Sequence, residues 1–386
     1  MDNLVFCTYF VNNKVALDTT FLDIKSIDTI LSSNIQFYYL ITLDFAQGGS
    51  NGYVFENIIL DKIILEQLNN KNCIILLDNS FEGTTCDDYF FTSFINNFIK
   101  TYNLTYKNFK ILTGNLIENN FNKNINCEFI PYCFFWDRPW FIDKSKECKL
   151  NHSIYIDDVR FDKKILCYNG VTRTHRKYLF YKIYNNPLLS ANINISLQKD
   201  CTYFNYKTQF EISDTENADI NDFFFKHNFN WEIDGLYSPE TKGAHINLFD
   251  IHTITSHFLF LVTESLINNN TLFISEKTFK PIYSFRPFII LGSPNILNKL
   301  KEMGFKTFDK WWDESYDTES NLTKRIGKIL NVLEFICNKD NNDLICMLKE
   351  MEEILIHNHN LFMEIKEPKF IEYLKLNGFN KKFKLY

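Results

Sequence analysis

The chain has 386 residues, and its 47 acidic against 41 basic side chains give a formal net charge of −6. Apolar residues make up 45% and aromatic residues 17% of it, which excludes a mainly disordered chain. A protein held chiefly by nucleic-acid phosphates is normally basic, so the charge balance argues against DNA or RNA as the main partner. At about 150 residues per domain, the length predicts two domains.

The first 150 residues alternate short apolar runs with amphipathic segments, a pattern that predicts parallel βαβ units. The predicted strands are residues 4–10, 37–43, 73–77, 109–112 and 127–130. The predicted helices are residues 53–68 and 87–100. The polar stretch 137–151 is typical of a linker, so we expect a first α/β domain over residues 1–150.

A second α/β series begins near Lys163. The predicted strands are residues 165–168, 258–262, 288–291 and 305–308. The predicted helices are residues 174–183, 276–284, 295–303, 323–338 and 341–357. The stretch 199–245 is expected to be irregular, and 246–257 to be a helix or a strand. We therefore expect a second domain over residues 160–357 and a tail, 358–386, that packs back on the first domain.

The scattered cysteines and a short N-terminal apolar run indicate the cellular compartment of the protein. None of the ten cysteines has Cys-x-x-Cys spacing, which favours reduced thiols over a disulfide framework. Residues 1–7 read as a first strand rather than a signal peptide, and no apolar run approaches the roughly 20 residues that span a bilayer. These features predict a cytoplasmic protein without a membrane span.

One segment that could carry chemistry follows the predicted strand 258–262. Glu264 is expected at the carboxyl end of this strand. Ser275 is then the predicted N-cap of a helix whose first turn contains Glu276 and Lys277. A lysine there opposes the helix dipole, and a bound phosphate would explain its presence. Glu276 could accept hydrogen bonds from a ribose diol. The alternative is a capped surface helix with solvated charges.

A second such segment follows the predicted strand 165–168. A turn at Asn169-Gly170 leads into a helix start that contains Arg173, Arg176 and Lys177, where a diphosphate could meet the helix N-terminus. His175 lies in the same basic stretch and could touch a phosphate. The alternative is a basic, solvated helix start. The remaining histidines lack the spacing of a zinc site and are interpreted as structural.

Together the two segments resemble the donor-binding half of glycosyltransferase family 10, the α-1,3/4-fucosyltransferases. That family has a strand that ends in Phe-Glu-Asn-Ser, then Tyr-Val-Thr-Glu-Lys at a helix start, then a strand that ends near a glycine. The stretches 262–265, 273–277 and 290–292 follow the same order, with Ser265 in place of the asparagine. The family also has an arginine at the start of the first donor-domain helix, which matches Arg176.

The resemblance implies a GT-B fold, in which two Rossmann-like domains with parallel sheets face a central cleft. It also implies an inverting transfer from a nucleotide sugar, which is GDP-fucose in the family. Glu276 would then bind the ribose hydroxyls, and Lys277 and Arg176 the diphosphate, where their charge would stabilise the leaving group. The donor-binding candidates are Arg173, Arg176, Glu264, Ser265, Glu276 and Lys277.

The acceptor hydroxyl would need a general base, which the first domain would supply in such a fold. The candidates are Asp78 and Glu82, which follow the predicted strand 73–77. The alternative is an Asx-type turn with a solvated glutamate. No Asp-x-Asp triplet occurs, although metal-dependent sugar transferases usually hold their cation with such paired carboxylates. We therefore expect no metal and no cofactor beyond the donor.

The aromatic segment 305–317 resembles a stretch in uncharacterised phage and giant-virus proteins, and its alternative is a loop that packs on the core. The sequence thus predicts an enzyme, of host cytoplasm if viral, that moves a sugar from a nucleotide sugar to a glycan or other hydroxyl acceptor. Two other classes stay open. One is a non-catalytic module that binds glycans or proteins on the same scaffold. The other is a transferase that acts on DNA bases, which the net charge disfavours.

Overall fold

The protein is represented by a computed structural model that describes residues 4–8, 22–33, 35–42, 59–80, 89–117, 127–137, 142, 144, 151–156, 159, 161, 163–169, 172–197, 202–227 and 251–377. The chain divides into two compact units. One comprises Met1–Arg138 together with Ile365–Tyr386, and the other Pro139–Glu364. Each unit contains a parallel sheet.

The first unit is built on a six-stranded parallel sheet in the order β2-β1-β3-β4-β5-β6. Its strands are β1 (Val5–Thr8), β2 (Asp23–Ile24), β3 (Phe37–Thr42), β4 (Cys73–Asn79), β5 (Phe109–Thr113) and β6 (Glu128–Pro131). All seven residues of β4 are buried, as expected for a strand covered on both faces. The predicted strands of residues 1–150 are therefore confirmed over the described residues, and the predicted ends at residues 9, 10 and 43 lie outside them.

The second unit is built on a four-stranded parallel sheet in the order β10-β9-β7-β8. Its strands are β7 (Ile165–Cys167), β8 (Ile193–Ile195), β9 (Leu259–Thr263) and β10 (Phe288–Leu291). The chain runs outward from β7 to β8, then returns to the other side of β7 to form β9. The strand order therefore reverses between β7 and β9.

Helices connect and cover the strands of each unit. In the first unit they are α1 (Ile27–Ser33), α2 (Lys62–Asn69), α3 (Tyr89–Tyr102) and α4 (Phe134–Asp137). In the second they are α5 (His152–Ile156), α6 (Thr174–Tyr184), α7 (Pro187–Asn192), α8 (Asp214–Lys226), α9 (Ile251–Thr255), α10 (Glu276–Tyr283), α11 (Ile296–Glu302), α12 (Leu322–Cys337), α13 (Asn341–Glu350) and α14 (Glu352–Met363). Within the described ranges, none of the helices has the length and apolarity needed to cross a membrane.

The last helix, α15 (Lys369–Asn377), belongs to the first unit. Its Phe370 ring packs edge-on against Tyr132 with ring centroids 4.8 Å apart. Its Tyr373 hydroxyl donates to Glu128 Oε1 at 2.6 Å, and Lys110 Nζ pairs with Glu128 Oε2 at 2.8 Å. The segment that joins the first unit therefore begins at Ile365, later than the expected start of the tail at residue 358.

The expectation of irregular structure over residues 199–245 is wrong for α8. Ser213 caps this helix, because its Oγ accepts the amide hydrogen of Glu216 at 3.0 Å. Ile220, Phe223 and Phe224 form its buried face. The Ser-x-x-Glu spacing is a recognised helix start, so the sequence did contain the signal.

Two further expectations of the second unit need correction. Residues 305–308 are not a strand, because their amides bond to side chains: Lys306 N donates to Asn358 Oδ1 and Phe308 N to Glu314 Oε1. The single helix expected over 341–357 is two helices. They meet at the buried Met351, whose φ of −84° and ψ of −8° interrupt the helical geometry.

The aromatic segment 305–317 packs into the core of the second unit. Phe308 and Tyr316 are fully buried, and the Phe308 ring lies edge-on to Phe288 of β10 at 5.1 Å between centroids. The structure therefore has the arrangement that the alternative interpretation of this segment describes.

Phe370→Ala tests the attachment of α15 to the first unit. Loss of this buried ring leaves a cavity against Tyr132 and should lower the melting temperature by about 10 °C. Leu376→Ala on the same helix is the matched control, because that side chain is 55% exposed and should change little. Equal shifts in the two variants, measured by circular dichroism on heating, would contradict this packing.

Candidate functional site

The reversal of strand order between β7 and β9 marks the candidate site. In open parallel sheets, ligands bind beyond the carboxyl ends of the strands at such a reversal. Asn169 follows β7 there, and Glu264 follows β9 directly. The two segments singled out in the sequence analysis therefore begin at neighbouring strand ends.

Asn169 ties the ends of three strands together. Its backbone amide donates to the hydroxyl of Ser196, which follows β8, at 2.9 Å. Its side-chain Oδ1 accepts from the hydroxyl of Thr263, the last residue of β9, at 2.5 Å. Both Asn169 and Ser196 are buried. The floor of the site is therefore fixed by hydrogen bonds that do not involve a ligand.

Glu264 is fully buried and joins β9 to α10. Its Oε1 accepts from the Ser275 amide at 3.0 Å and from the Thr278 hydroxyl at 2.7 Å. Its Oε2 accepts from the Ser275 hydroxyl at 2.6 Å. These bonds occupy the carboxylate within the protein. Glu264, which the sequence analysis names as a donor-binding candidate, therefore positions the start of α10.

Gly292, which follows β10, allows this close packing. A Cβ atom at Gly292 would lie 3.5 Å from Cβ and Cγ of Glu264 and 3.0 Å from Cδ1 of Ile296. The contact with Ile296 is tighter than side chains normally tolerate. A glycine at this point therefore fits the limited space above Glu264.

The start of α10 carries an ion pair. Ser275 is the N-cap, and its hydroxyl accepts the Lys277 amide hydrogen at 3.4 Å. Lys277 Nζ donates to Glu276 Oε1 at 2.9 Å and to Ser275 Oγ at 3.2 Å. Burial alone would raise the pKa of Glu276, but Lys277 and Lys280 outweigh it and hold that pKa below its usual value. Glu276 is therefore an ionised acceptor at neutral pH.

Arg176 on α6 faces the same region. It is buried, and its Nη2 donates to the carbonyl oxygen of Thr263 at 2.8 Å. Burial first, and then the nearby Arg173, lower the pKa of Arg176 to about 10, while the carboxylates of Glu264 and Glu276 act in the opposite direction. Arg176 therefore remains charged, and it interacts electrostatically with both carboxylates. Arg173 is the exposed N-cap residue of α6.

His175 and Lys177 do not take the positions that the sequence suggested. The Nε2–H of His175 donates to the Glu264 carbonyl at 3.0 Å, and burial followed by Arg176 lowers its pKa to about 3, so the ring is neutral. Lys177 lies about 100° around the helix from Arg176. Its Nζ donates to the Thr202 carbonyl at 3.1 Å and lies over two aromatic rings, those of Phe204 and Phe224. Neither side chain contributes a free cation to the start of α6.

The candidates in the first unit are only partly described. Asp78 is buried at the end of β4, and its Oδ1 accepts from the amide of Ser80 at 3.0 Å and from its hydroxyl at 2.6 Å. This is the Asx-type turn that the sequence analysis gave as the alternative. Glu82 lies outside the described residues. In the second unit, Ser265 is half-buried and directly follows Glu264.

The charge around the first turns of α6 and α10 is positive. Among the described residues there, the cations are Arg173, Arg176, Lys277 and Lys280, and the carboxylates are Glu264 and Glu276. The sequence analysis missed Lys280, although its spacing of three from Lys277 and four from Glu276 makes it a helical neighbour of each. Such an arrangement favours a bound anion. In the described ranges, no cluster of three His, Cys, Asp or Glu side chains could hold a metal ion.

A scan against protein-family models finds no family that matches this chain, and a search of curated proteins likewise finds no match.

Glu264→Gln tests the role of this carboxylate. The glutamine NH2 group would face a hydroxyl or amide group that also donates, so one hydrogen bond would be lost. We expect the free energy of unfolding to fall by about 2 kcal/mol and the melting temperature by about 5 °C. Glu302→Gln, at an exposed pair with Lys299, is the control and should show no measurable change. A melting temperature of Glu264→Gln equal to that of the control would show that the carboxylate does not hold α10.

Proposed function

We propose that the chain is a GT-B glycosyltransferase that is inverting and metal-independent. The observation that carries the proposal is the collection of cations on the first turns of α6 and α10, at the point where the strand order reverses. A reversal point is the usual ligand site of such sheets, and two helix N-termini with an excess of positive charge suit a phosphate ligand.

The proposed donor is a nucleoside-diphosphate sugar bound to the second unit. Lys277 is partly exposed, so its ammonium can turn from Glu276 to a phosphate oxygen. Arg176 supplies a guanidinium fork that suits phosphate oxygens. Glu276 stays ionised, and its carboxylate can accept hydrogen bonds from both hydroxyls of a ribose. Fucose, through the family resemblance, is the first sugar to examine.

The proposed reaction moves the sugar to a hydroxyl of a glycan or similar acceptor. As the bond between sugar and diphosphate breaks, negative charge grows on the departing diphosphate, and nearby fixed cations stabilise it. Arg176 and Lys277 would take the role that a divalent ion has in other sugar transferases. A carboxylate of the first unit would remove the acceptor proton. Asp78 already accepts two hydrogen bonds from Ser80, which favours Glu82 as that base.

A thermal-shift screen against GDP-, UDP-, ADP- and CMP-sugars and the free nucleoside diphosphates tests the proposal. A ligand at 100 times its dissociation constant should add about 2.7 kcal/mol of apparent stability. The absence of a shift with every one of them would contradict the proposal. A shift without transfer or slow hydrolysis of the sugar would instead support the non-catalytic binding module.

Lys277→Ala and Arg176→Ala should abolish sugar transfer and weaken nucleoside-diphosphate binding about tenfold or more, since each removes a charge-assisted hydrogen bond. Lys299→Ala on α11 is the control, because that lysine pairs with Glu302 away from the site. Calorimetric titration and a transfer assay on the same preparations measure both effects. Unchanged affinity and unchanged transfer in Lys277→Ala would exclude Lys277 from the donor site.

A further inference from the structure

Lys280 is a buried lysine that has no hydrogen-bond or ion-pair partner among the described residues. Its side chain lies in the second turn of α10, and the residue is only 8% exposed. Its Nζ makes neither a hydrogen bond nor an ion pair with any described residue. Burial on this scale leaves the ammonium little water, which is costly for a charge that no described residue pairs.

Two other lysines of the chain show what burial normally requires. Lys110 is 5% exposed, and its ammonium pairs with Glu128 at 2.8 Å. Lys177 is 1% exposed, and its ammonium donates to the Thr202 carbonyl at 3.1 Å. Both satisfy their charge inside the protein. Lys280 is about as buried as these two, but no described residue accepts a hydrogen bond from its ammonium.

The helix geometry directs Lys280 toward the candidate site. Lys280 follows Lys277 by three residues and Glu276 by four, so it neighbours each of them on the surface of α10. Long side chains on a helix lean toward its N-terminus, which brings the Lys280 stem back over the first turn. The charges of Glu276 and Lys277 both act on Lys280, in opposite directions. Its ammonium therefore belongs to the cluster at the start of α10.

Within the part of the chain that the structure describes, the elements packed on α10 supply no competing partner for Lys280. The charged or titratable groups nearest to α10 on other elements are Glu264 after β9, Arg176 of α6, His359 of α14 and Lys144, which lies over the Phe362 ring of α14. Glu264 is bonded to the start of α10, and His359 Nδ1 to the carbonyl of Tyr283. The remaining two are cations, which repel an ammonium.

We propose that Lys280 is a further phosphate-binding residue of this site, whose ammonium donates to an oxygen of the bound nucleoside diphosphate. The inference rests on the proposed function and adds a residue to it. Burial first lowers the pKa of Lys280 to about 8 in the free protein. An anion beside the ammonium raises that pKa, so binding takes up a proton. The gain in affinity is fully present below about pH 8 and is lost as the pH rises through the higher pKa of the complex.

Calorimetric titration with GDP, UDP and ADP at pH 8, in two buffers of different ionisation enthalpy, measures this uptake. The wild type should take up about half a proton, since a group with a pKa near 8 is half protonated at that pH. If the anion raises the pKa by about one unit, the affinity should fall about fivefold between pH 7 and pH 9, because in the free protein about nine-tenths of the ammonium has lost its proton at pH 9.

Lys280→Met keeps the apolar stem and removes the charge. It should bind about tenfold more weakly than the wild type at pH 7, come within about twofold of it at pH 9 and show no proton uptake at pH 8. Lys280→Arg should bind at both pH values without the pH dependence, since an arginine stays charged. Lys299→Met is the matched control and should behave as the wild type.

The outcomes separate this inference from the proposed function. Binding without proton uptake, with equal affinity in Lys280→Met, would overturn the role of Lys280 and leave the nucleotide site in place. The absence of binding by all three diphosphates would overturn both. If Lys280→Met does not fold, the buffer dependence of the wild type alone decides, because no uptake at pH 8 contradicts the inference.

Discussion

The carboxylate of Glu264 is the contact on which the arrangement of the second unit depends. It has lost all contact with water, and a polar group in that state destabilises the fold unless its oxygen atoms accept hydrogen bonds. Ser275 and Thr278 supply the donors, so the start of α10 can sit in one place relative to the end of β9. The backbone carbonyl of Glu264 meets His175 of α6 as well. One residue therefore sets the position of both helix starts.

Buried arginines elsewhere in the second unit show that burial of a cation alone does not define a site. Arg286 is bonded to the carbonyls of His257, Tyr155 and Thr255. Arg325 is bonded to the carbonyls of Glu319 and Gly292. Burial lowers the pKa of Arg286 to about 9 and that of Arg325 to about 10. Both hold loops through backbone oxygens. The cations at α6 and α10 differ because they gather with carboxylates where the strand order reverses.

Local features of this fold could be predicted from the sequence. A continuous apolar run specified β4, and Ser275 before Glu276 and Lys277 specified the start of α10. The prediction of an α/β chain with parallel sheets is confirmed. The start of α8 was readable from Ser213 and Glu216 but was hidden among polar residues.

Contacts between distant residues could not be predicted in this way. The bond from His175 to Glu264 spans 89 positions, and no local pattern encodes it. Lys177 follows Arg176 in the sequence, yet the helix turns it to an aromatic pocket on another face. Lys280 resembles any solvated helix lysine until its burial is known. Side-chain direction and burial are tertiary properties, and these decide which charges meet a ligand.

The crystal structure of the protein grown with the nucleoside diphosphate that binds most tightly is the most direct measurement of the central claim. We expect the phosphates at the first turn of α10, with oxygen atoms within about 3 Å of the ammonium groups of Lys277 and Lys280. We also expect the ribose hydroxyls at Glu276. A diphosphate bound elsewhere, with the ion pair of Glu276 and Lys277 unchanged, would contradict the assignment of this site.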